Sequence, residues 1–443
     1  MAARASASSP GSSVAGDGRV EGPGAVDAGG RRQAGAKTPA RSKASDGTAR
    51  GRTVDTTRPH GSLARMPRHA ILFAVLAAHA AASPARAPQS PPSPEPDAVA
   101  ETLFLIGDAG EPARGGEPVL IALRRQLERA GGRATVAFLG DNVYPDGLPA
   151  PGHPERAEMD RRLDDQVDAV RGLAARVVFI PGNHDWAKGG EDGWEAVRRQ
   201  ERRIEERGSP TVSLVPDDGC PGPEIVDTGD RLRLVALDTQ WWLHAHDRHE
   251  HPGSPCVADT EAEVAAGLTA ALEGAGPRDV VVLVHHPPVS SGPHGGKFGL
   301  KQHLFPLTEW KGGLFVPLPL VGSAYPIARG AGVTPQDTTS EEYRRMREAL
   351  VAAARGRPPL AWAGGHEHVL EVIESPRWGR VLVSGAGIYG HVTYTRGVEG
   401  SLYRAARSGF MRIDFLRDGR RRLGVTEVAA DGSYREAFAR LLE

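Results

Sequence analysis

Aspartate, asparagine, histidine and tyrosine recur in this chain at one kind of place, directly after a short apolar run and beside a glycine. The fullest instance is Leu139-Gly140-Asp141-Asn142-Val143-Tyr144, which follows Thr135-Val136-Ala137-Phe138. The apolar run reads as a buried strand, and Gly140 allows a sharp turn at its end. Asp141 then offers a carboxylate that can bridge two cations, and Tyr144 offers a phenol three residues later. A phenol with a free pKa of about 10 binds as phenolate only beside a strongly charged cation.

Further segments repeat the pattern. Ile106-Gly107-Asp108-Ala109-Gly110 supplies a carboxylate after one apolar run, and Pro181-Gly182-Asn183-His184-Asp185 supplies an amide oxygen and an imidazole after another. Adjacent imidazoles follow a third run in Val284-His285-His286-Pro287-Pro288, and His294 stands shortly after. Gly364-Gly365-His366-Glu367-His368 places two imidazoles two residues apart, on one side of an extended chain. Each segment alone is an ordinary turn composition. Together they imply a two-metal hydrolase with its ligands at strand ends.

The elements that must hold these residues can be read from periodicity. Strands are expected at Thr102–Ile106, Thr135–Leu139, Arg176–Ile180, Thr211–Val215, Glu224–Thr228, Leu232–Leu237, Asp279–Val284 and Pro359–Ala363. Helical spacing covers Glu117–Ala130, Glu155–Leu173, Asp192–Arg207, Thr260–Leu272 and Glu341–Ala354. Later strands, at Val369–Glu374, Arg380–Ser384, Phe410–Leu416 and Leu423–Val428, follow one another without helices. The expectation is an α/β fold, a two-sheet β-sandwich flanked by helices, with the metal site at the C-terminal ends of the strands. Residues 296–340 interrupt the rhythm with Gly, Pro, Phe298, Trp310, Phe315 and Tyr325, as expected of a loop insertion that acts as a lid over the site and selects substrate.

Composition bounds the rest. The formal net charge of −1 over 443 residues gives no reason to expect a nucleic-acid partner. Residues 1–65 are rich in Gly, Ala, Ser and Arg and read as a disordered leader, one that is left untranslated if translation starts at Met66. Residues 66–87 have a basic start, an apolar core at Ala70–Ala78 and small residues after it, which reads as a signal peptide too short to span a bilayer comfortably. A Pro-rich linker over 88–100 precedes the domain over 101–443. The expected location is periplasmic or extracellular, without a stable membrane anchor. An exported chain whose two cysteines, Cys220 and Cys256, both lie in proline-containing loops is expected to join them. His244, His246, His249 and His251 read as a solvated loop, and Trp241 and Trp242 as packing.

The ordered set Gly-Asp-x-Gly, Gly-Asp-x-x-Tyr, Gly-Asn-His-Asp, His-His-x-Pro, Gly-His-x-His resembles the calcineurin-like metallophosphoesterase superfamily over roughly residues 101–390. It is similar in particular to the purple acid phosphatase branch. The wider superfamily has Asp-x-His where this chain has Gly110, and the branch uses a tyrosine at the position of Tyr144. The resemblance implies that Asp108, Tyr144 and His368 hold a first metal, that Asp141 bridges, and that Asn183, His286 and His366 hold a second. His286 is preferred to His285 because the family's ligand is followed by x-Pro. His184 would face the leaving group or a phosphate oxygen, His294 would be a substrate histidine, and either could protonate the departing oxygen. Hard anionic oxygens beside the phenolate favour Fe(III) at the Tyr144 site, with divalent Fe, Zn or Mn as its neighbour. The implied reaction is hydrolysis of a small phosphate monoester by metal-hydroxide attack, an acid phosphatase-like activity. Two alternatives stand beside it: a phosphodiesterase acting on cyclic nucleotides or lipid head groups, and a non-catalytic binding module on the same fold.

Overall fold

The computed structural model describes residues 91–208, 210–248, 253–305, 307, 315–318 and 321–443. The expected leader and signal peptide, part of the linker, His249, His251 and Trp310 lie outside the described residues. The strands are β1 Val99–Ile106, β2 Ala134–Phe138, β3 Arg176–Phe179, β4 Val212–Leu214, β5 Glu224–Thr228, β6 Leu232–Ala236 and β7 Asp279–Leu283. They continue as β8 Ala361–Gly364, β9 Leu370–Ser375, β10 Gly379–Ser384, β11 Ser401–Ala405, β12 Gly409–Leu416, β13 Arg421–Val428 and β14 Tyr434–Leu442. The helices are α1 Pro118–Ala130, α2 Arg156–Val170, α3 Gly193–Gly208, α4 Thr239–Leu243, α5 Glu261–Glu273, α6 Leu300–Leu304, α7 Ala324–Gly330 and α8 Glu341–Ala353.

Two seven-stranded sheets form, in the orders β14-β13-β12-β1-β2-β3-β4 and β11-β9-β10-β8-β7-β6-β5. Strands β1 to β4 run parallel, because helices carry the chain back between them, whereas β12 to β14 form an antiparallel meander beside β1. In the second sheet β6, β7, β8 and β10 are parallel.

Period-two alternation divides the core into layers. Leu103, Leu105, Ala137, Leu139, Val178 and Ile180 face Leu234, Ala236, Val281, Leu283, Ala363 and Leu382 across the gap between the sheets. The alternate residues Phe104, Ile106, Val136, Phe138 and Phe179 point outward and are covered by α1 and α2 through Leu123, Leu127, Leu163 and Val167. The fold is thus the expected two-sheet sandwich flanked by helices. Burial of this order, at about 25 cal/mol per Å² of apolar surface, is what holds the strand ends in register.

The expected elements recur with shifts of a few residues at their ends. Differences concentrate where local composition and tertiary pairing disagree. Tyr434–Leu442, rich in Ala, Arg, Leu and Glu, pairs along β13 as an edge strand after the Asp431-Gly432 turn. Cross-strand pairing outweighs its helical propensity. The start of the domain also reaches into the expected linker: Arg422 Nη2 donates to the Pro91 carbonyl (2.9 Å) and Arg417 Nε to that of Asp97 (2.9 Å). A disulfide joins Cys220 and Cys256, with Cα atoms 5.4 Å apart. No helix among the described residues is long and apolar enough to cross a membrane.

Candidate metal centre

The loops after β1, β2, β3, β7 and β8 meet at one end of the sandwich. Backbone bonds tie them together: Asp108 N donates to Gly140 O (2.9 Å), Gly107 N to Ser384 O (2.8 Å) and Gly365 N to His285 O (3.1 Å). Asp185, wholly buried, accepts from Gly182 N (2.8 Å), Asn142 N (2.9 Å) and Val143 N (3.1 Å), locking the β2 and β3 loops to each other. The sequence pattern shows Asp185 as part of a motif but assigns it no role.

Around the first position, the Tyr144 hydroxyl lies 3.2 Å from Asp108 Oδ1, 3.2 Å from Asp141 Oδ2 and 3.1 Å from His368 Nε2. His368 Nε2 is itself 3.3 Å from Asp108 Oδ1. Around the second, Asn183 Oδ1 lies 3.0 Å from His285 Nε2 and 3.0 Å from His366 Nδ1, and His285 Nε2 is 3.5 Å from Asp141 Oδ1. Asp141 turns one carboxylate oxygen to each group.

The imidazoles report what these atoms face. His285 Nδ1 is 2.8 Å from the Leu139 carbonyl, which can only accept, so Nδ1 carries the proton and Nε2 presents a lone pair. His366 Nε2 is 3.2 Å from the Gln336 carbonyl, so its Nδ1 presents a lone pair too. With both rings neutral, Asn183 Oδ1, His285 Nε2, His366 Nδ1 and Asp141 Oδ1 converge with no hydrogen between them. Such an arrangement is repulsive by itself and suits a cation, with each carbonyl fixing the tautomer of a ligand.

Backbone strain and glycine placement agree. Asp108, Asp141 and His366 adopt left-handed φ of 56°, 54° and 69°, a cost that non-glycine residues carry mostly at functional sites. A Cβ on Gly140 would lie 2.5 Å from His285 Nδ1, and one on Gly365 or Gly385 would lie 2.5 or 2.6 Å from Asp108 Oδ2. Gly110 is closed in the same way: a Cβ there would lie 2.6 Å from the Asp141 carbonyl. This backbone has no room for the histidine of Asp-x-His, and Tyr144 fills that side of the site.

Electrostatics without a cation are unfavourable. Burial, followed by the charge of Asp141, pushes the Asp108 carboxyl well up; its hydrogen bonds and His285 only partly offset this. Burial also acts on Asp141, but His285, His184 and the His184 backbone N–H hold it below the usual carboxylate range. Burial and both carboxylates push the Tyr144 phenol well above its ordinary value. Only a highly charged cation would release protons from both Tyr144 and Asp108 at neutral pH. The donor set fits two cations.

His285, His286 and His366 form one group whose ligand atoms all lie within 4.8 Å of one another. Pro287 and Pro288 place an x-Pro after both His285 and His286, so that rule cannot separate them. Successive residues of an extended chain face opposite ways. His285 faces Asp141 and Asn183, while His286, its ring 4.4 Å from that of His366, is engaged by side chains at both nitrogens: its Nδ1 is 2.9 Å from Thr239 Oγ1 and its Nε2 is 2.7 Å from Gln336 Oε1. His286 anchors Gln336, and His285 stands beside Asp141 and Asn183.

The remaining candidates are placed as follows. The His184 backbone N donates to Asp141 Oδ1 (2.9 Å), its ring stands 4.5 Å from that of Tyr144, and its Nδ1 bonds to the Pro145 carbonyl. The His294 ring is 3.9 Å from that of His366. Glu367 turns away from the ligands, where its Oε1 takes the Ser290 hydroxyl (3.2 Å) and Gly295 N (3.3 Å). His244 packs on Trp186 at 4.7 Å, and Trp241 and Trp242 are buried in α4.

Three residues went unread in the sequence. His391 stacks on His368 at 4.2 Å and lies 5.6 Å from the Tyr144 ring; burial pulls its pKa down to about 4. Its only local signal is a preceding glycine. Gln336 and Arg329 come from the irregular 296–340 segment and carry no signal there. Within that segment Phe298 packs on Tyr325 (5.7 Å), whereas Phe315 is exposed.

Comparison with curated protein sequences returns no match. Among solved structures, the chain is similar to the GAP50 anchor in the inner membrane complex of Plasmodium, at 14% identity and a TM-score of 0.47, covering 77% of this chain and 88% of that one. The purple acid phosphatase PPD1 from yellow lupin (Lupinus luteus) seeds aligns at 13% identity and 0.44, covering 79% of this chain and 55% of that one. The calcineurin-like phosphoesterase YfkN from Bacillus subtilis aligns at 11% and 0.32, covering 77% and 90%. A family model for calcineurin-like phosphoesterases matches residues 102–312, which include the loops bearing Asp108, Asp141, Tyr144, Asn183 and His285. On that match, residues 102–312 of this chain are similar to calcineurin-like phosphoesterases.

Proposed function

We propose that this chain is an exported dinuclear-metal phosphoesterase acting on small phosphate monoesters. The observation that carries the reading is the convergence of lone pairs from Asn183, His285, His366 and Asp141, beside the group formed by Asp108, Tyr144 and His368 around the same Asp141 carboxylate. The first position would be held by Asp108, Asp141, Tyr144 and His368, the second by Asp141, Asn183, His285 and His366. Two cations there would neutralise phosphoryl charge and acidify a water.

The residues of the chain do the rest. Asp141 holds both halves in register through separate oxygens. Tyr144, once ionised, adds a hard anionic oxygen beside Asp108, which favours Fe(III) in the first position with a divalent ion in the second. His184 sits at the open edge of the Tyr144 side. Its Nδ1 proton is committed to the Pro145 carbonyl, so a proton taken up at Nε2 is the one it can pass to a leaving oxygen. His294 and the 331–340 segment wall the other side, where Gln336 bonds to His286 and His366. The basic and apolar segment over residues 66–87 supports export.

Elemental analysis of purified protein, together with hydrolysis of a panel of aryl and alkyl monoesters and diesters, tests the reading. Two metals per chain and a preference for monoesters are expected. A preference for diesters would favour the cyclic-nucleotide or lipid-headgroup alternative, and metal without hydrolysis would favour the binding module.

A further inference from the structure

We propose that Arg329, itself held by Asp337, is a positioning residue for His294, fixing the ring so that Nε2 carries the proton that meets a phosphoryl oxygen. The role assigned to His294 rests on the phosphoesterase reading above; the tautomer does not.

Arg329 Nη2 donates to His294 Nδ1 at 2.6 Å. A guanidinium is always charged and has only donors, so Nδ1 must accept. A neutral imidazole has one ring proton, and it is then on Nε2. The clamp is itself pinned. Arg329 Nε bonds to the Asp337 carboxylate, which is wholly buried, and the other Asp337 oxygen takes Thr334 N at 2.9 Å. Tyr325 receives Arg329 Nη1 at 3.2 Å. His294 is fixed along its backbone as well: Thr338 N donates to its carbonyl (2.9 Å), and Glu367 holds the next N–H (3.3 Å). A ring held at Nδ1, and 3.9 Å from the His366 ring, offers the site a single oriented N–H.

This divides the two histidines by role. His294 donates to the phosphoryl group, and delivery of a proton to the leaving oxygen falls to His184, whose Nδ1 is committed to the Pro145 carbonyl. The sequence leaves both histidines available for that step. The structure also gives the 296–340 segment a purpose other than covering the site, since both Arg329 and Asp337 come from it.

The test uses the full chain, loaded with zinc and labelled with 15N-histidine. Two-bond 1H–15N spectra report the tautomer, with the His294 signals identified by their loss in His294→Ala. The Nε2–H pattern is expected in the wild type and is expected to give way to a mixture in Arg329→Met. In parallel, Arg329→Met should lower kcat/KM by about 10- to 100-fold, and by the same factor for 4-nitrophenyl phosphate and an alkyl phosphate, with partial recovery in Arg329→Lys. An Nδ1–H pattern in the wild type, or an unchanged pattern in Arg329→Met, would overturn the positioning claim. A loss confined to the alkyl phosphate would make His294 the leaving-group acid and overturn the division of roles. Should Arg329→Met not fold, the wild-type pattern and the Arg329→Lys kinetics still decide. A wild type that keeps the Nε2–H pattern but hydrolyses neither ester would overturn the phosphoesterase reading while leaving the tautomer claim intact.

Discussion

The two halves of the candidate metal centre are built differently. In the second half each imidazole has its remote nitrogen tied to a backbone carbonyl, His285 to Leu139 and His366 to Gln336. Their tautomers are set before any cation arrives. In the first half His368 Nδ1 is buried without a partner among the described residues, and the Tyr144 hydroxyl is shared among Asp108, Asp141 and His368. That half needs a cation to ionise the phenol and settle its protons. Preorganisation thus resides mainly in the second half, and charge demand in the first.

Removing what the halves share should have the largest effect. Asp141→Asn is expected to lose both metals and lower kcat by more than roughly 10³-fold. Retention of either metal at full occupancy would show that the halves are independent.

Next come the half-specific changes. His285→Ala should lose only the second metal, with a fall in activity on the order of 10²- to 10³-fold. Tyr144→Phe keeps the ring's volume but removes its oxygen. In iron-loaded protein it should abolish the visible charge-transfer band while leaving the second metal bound. A band that survives Tyr144→Phe would remove the phenolate from the first half.

A smaller effect is expected at His286. His286→Ala should keep both metals and cost about tenfold in activity, by loosening Gln336 and with it the tautomer of His366. Loss of the second metal in this variant and not in His285→Ala would reverse the assignment made here.

A last prediction concerns stability, not activity, and sharpens the contrast in charge demand. Asp108 has a folded-state value raised far above its unfolded one, to about 8, chiefly by burial. Between those values the folded metal-free state holds a proton that the unfolded state has released. Its stability should therefore fall as pH rises from about 4 to 8, by at most about 1.4 kcal/mol per pH unit from one group. The metal-loaded protein has no such proton to lose, so the gap in Tm between loaded and stripped protein should widen with pH. Asp108→Asn should flatten the stripped protein's profile, and a gap that narrows with rising pH would contradict the assignment.

The two halves also differ in how much of each can be read from local sequence. Asp108, Asp141, Tyr144 and His368 follow from strand ends, glycines and a three-residue or two-residue spacing, because one chain segment sets each geometry. The fold class was legible for the same reason: period-two and helical spacing mark elements whose burial enforces them. Edge strand β14 was not, since its composition favours helix and only the register of β13 makes it a strand.

In the second half, residue types alone left His285 and His286 equivalent before the double proline. The direction of β7 gives them different surroundings, His285 beside Asp141 and Asn183 and His286 beside Thr239 and Gln336, because alternation along a strand has a phase that only packing fixes. Gln336, Arg329 and His391 show the same limit more strongly. Gln336 lies 30 residues from His366 and Arg329 lies 35 from His294, in chain with no periodicity to predict its path. Local sequence thus determined which atoms could bind cations and at which strand ends they sit. Tertiary structure alone decided which histidine stands beside Asp141, which nitrogen carries each proton and which remote residue holds it there. Those choices depend on partners supplied by other elements, and a hydrogen bond across long sequence separation leaves no pattern near either residue.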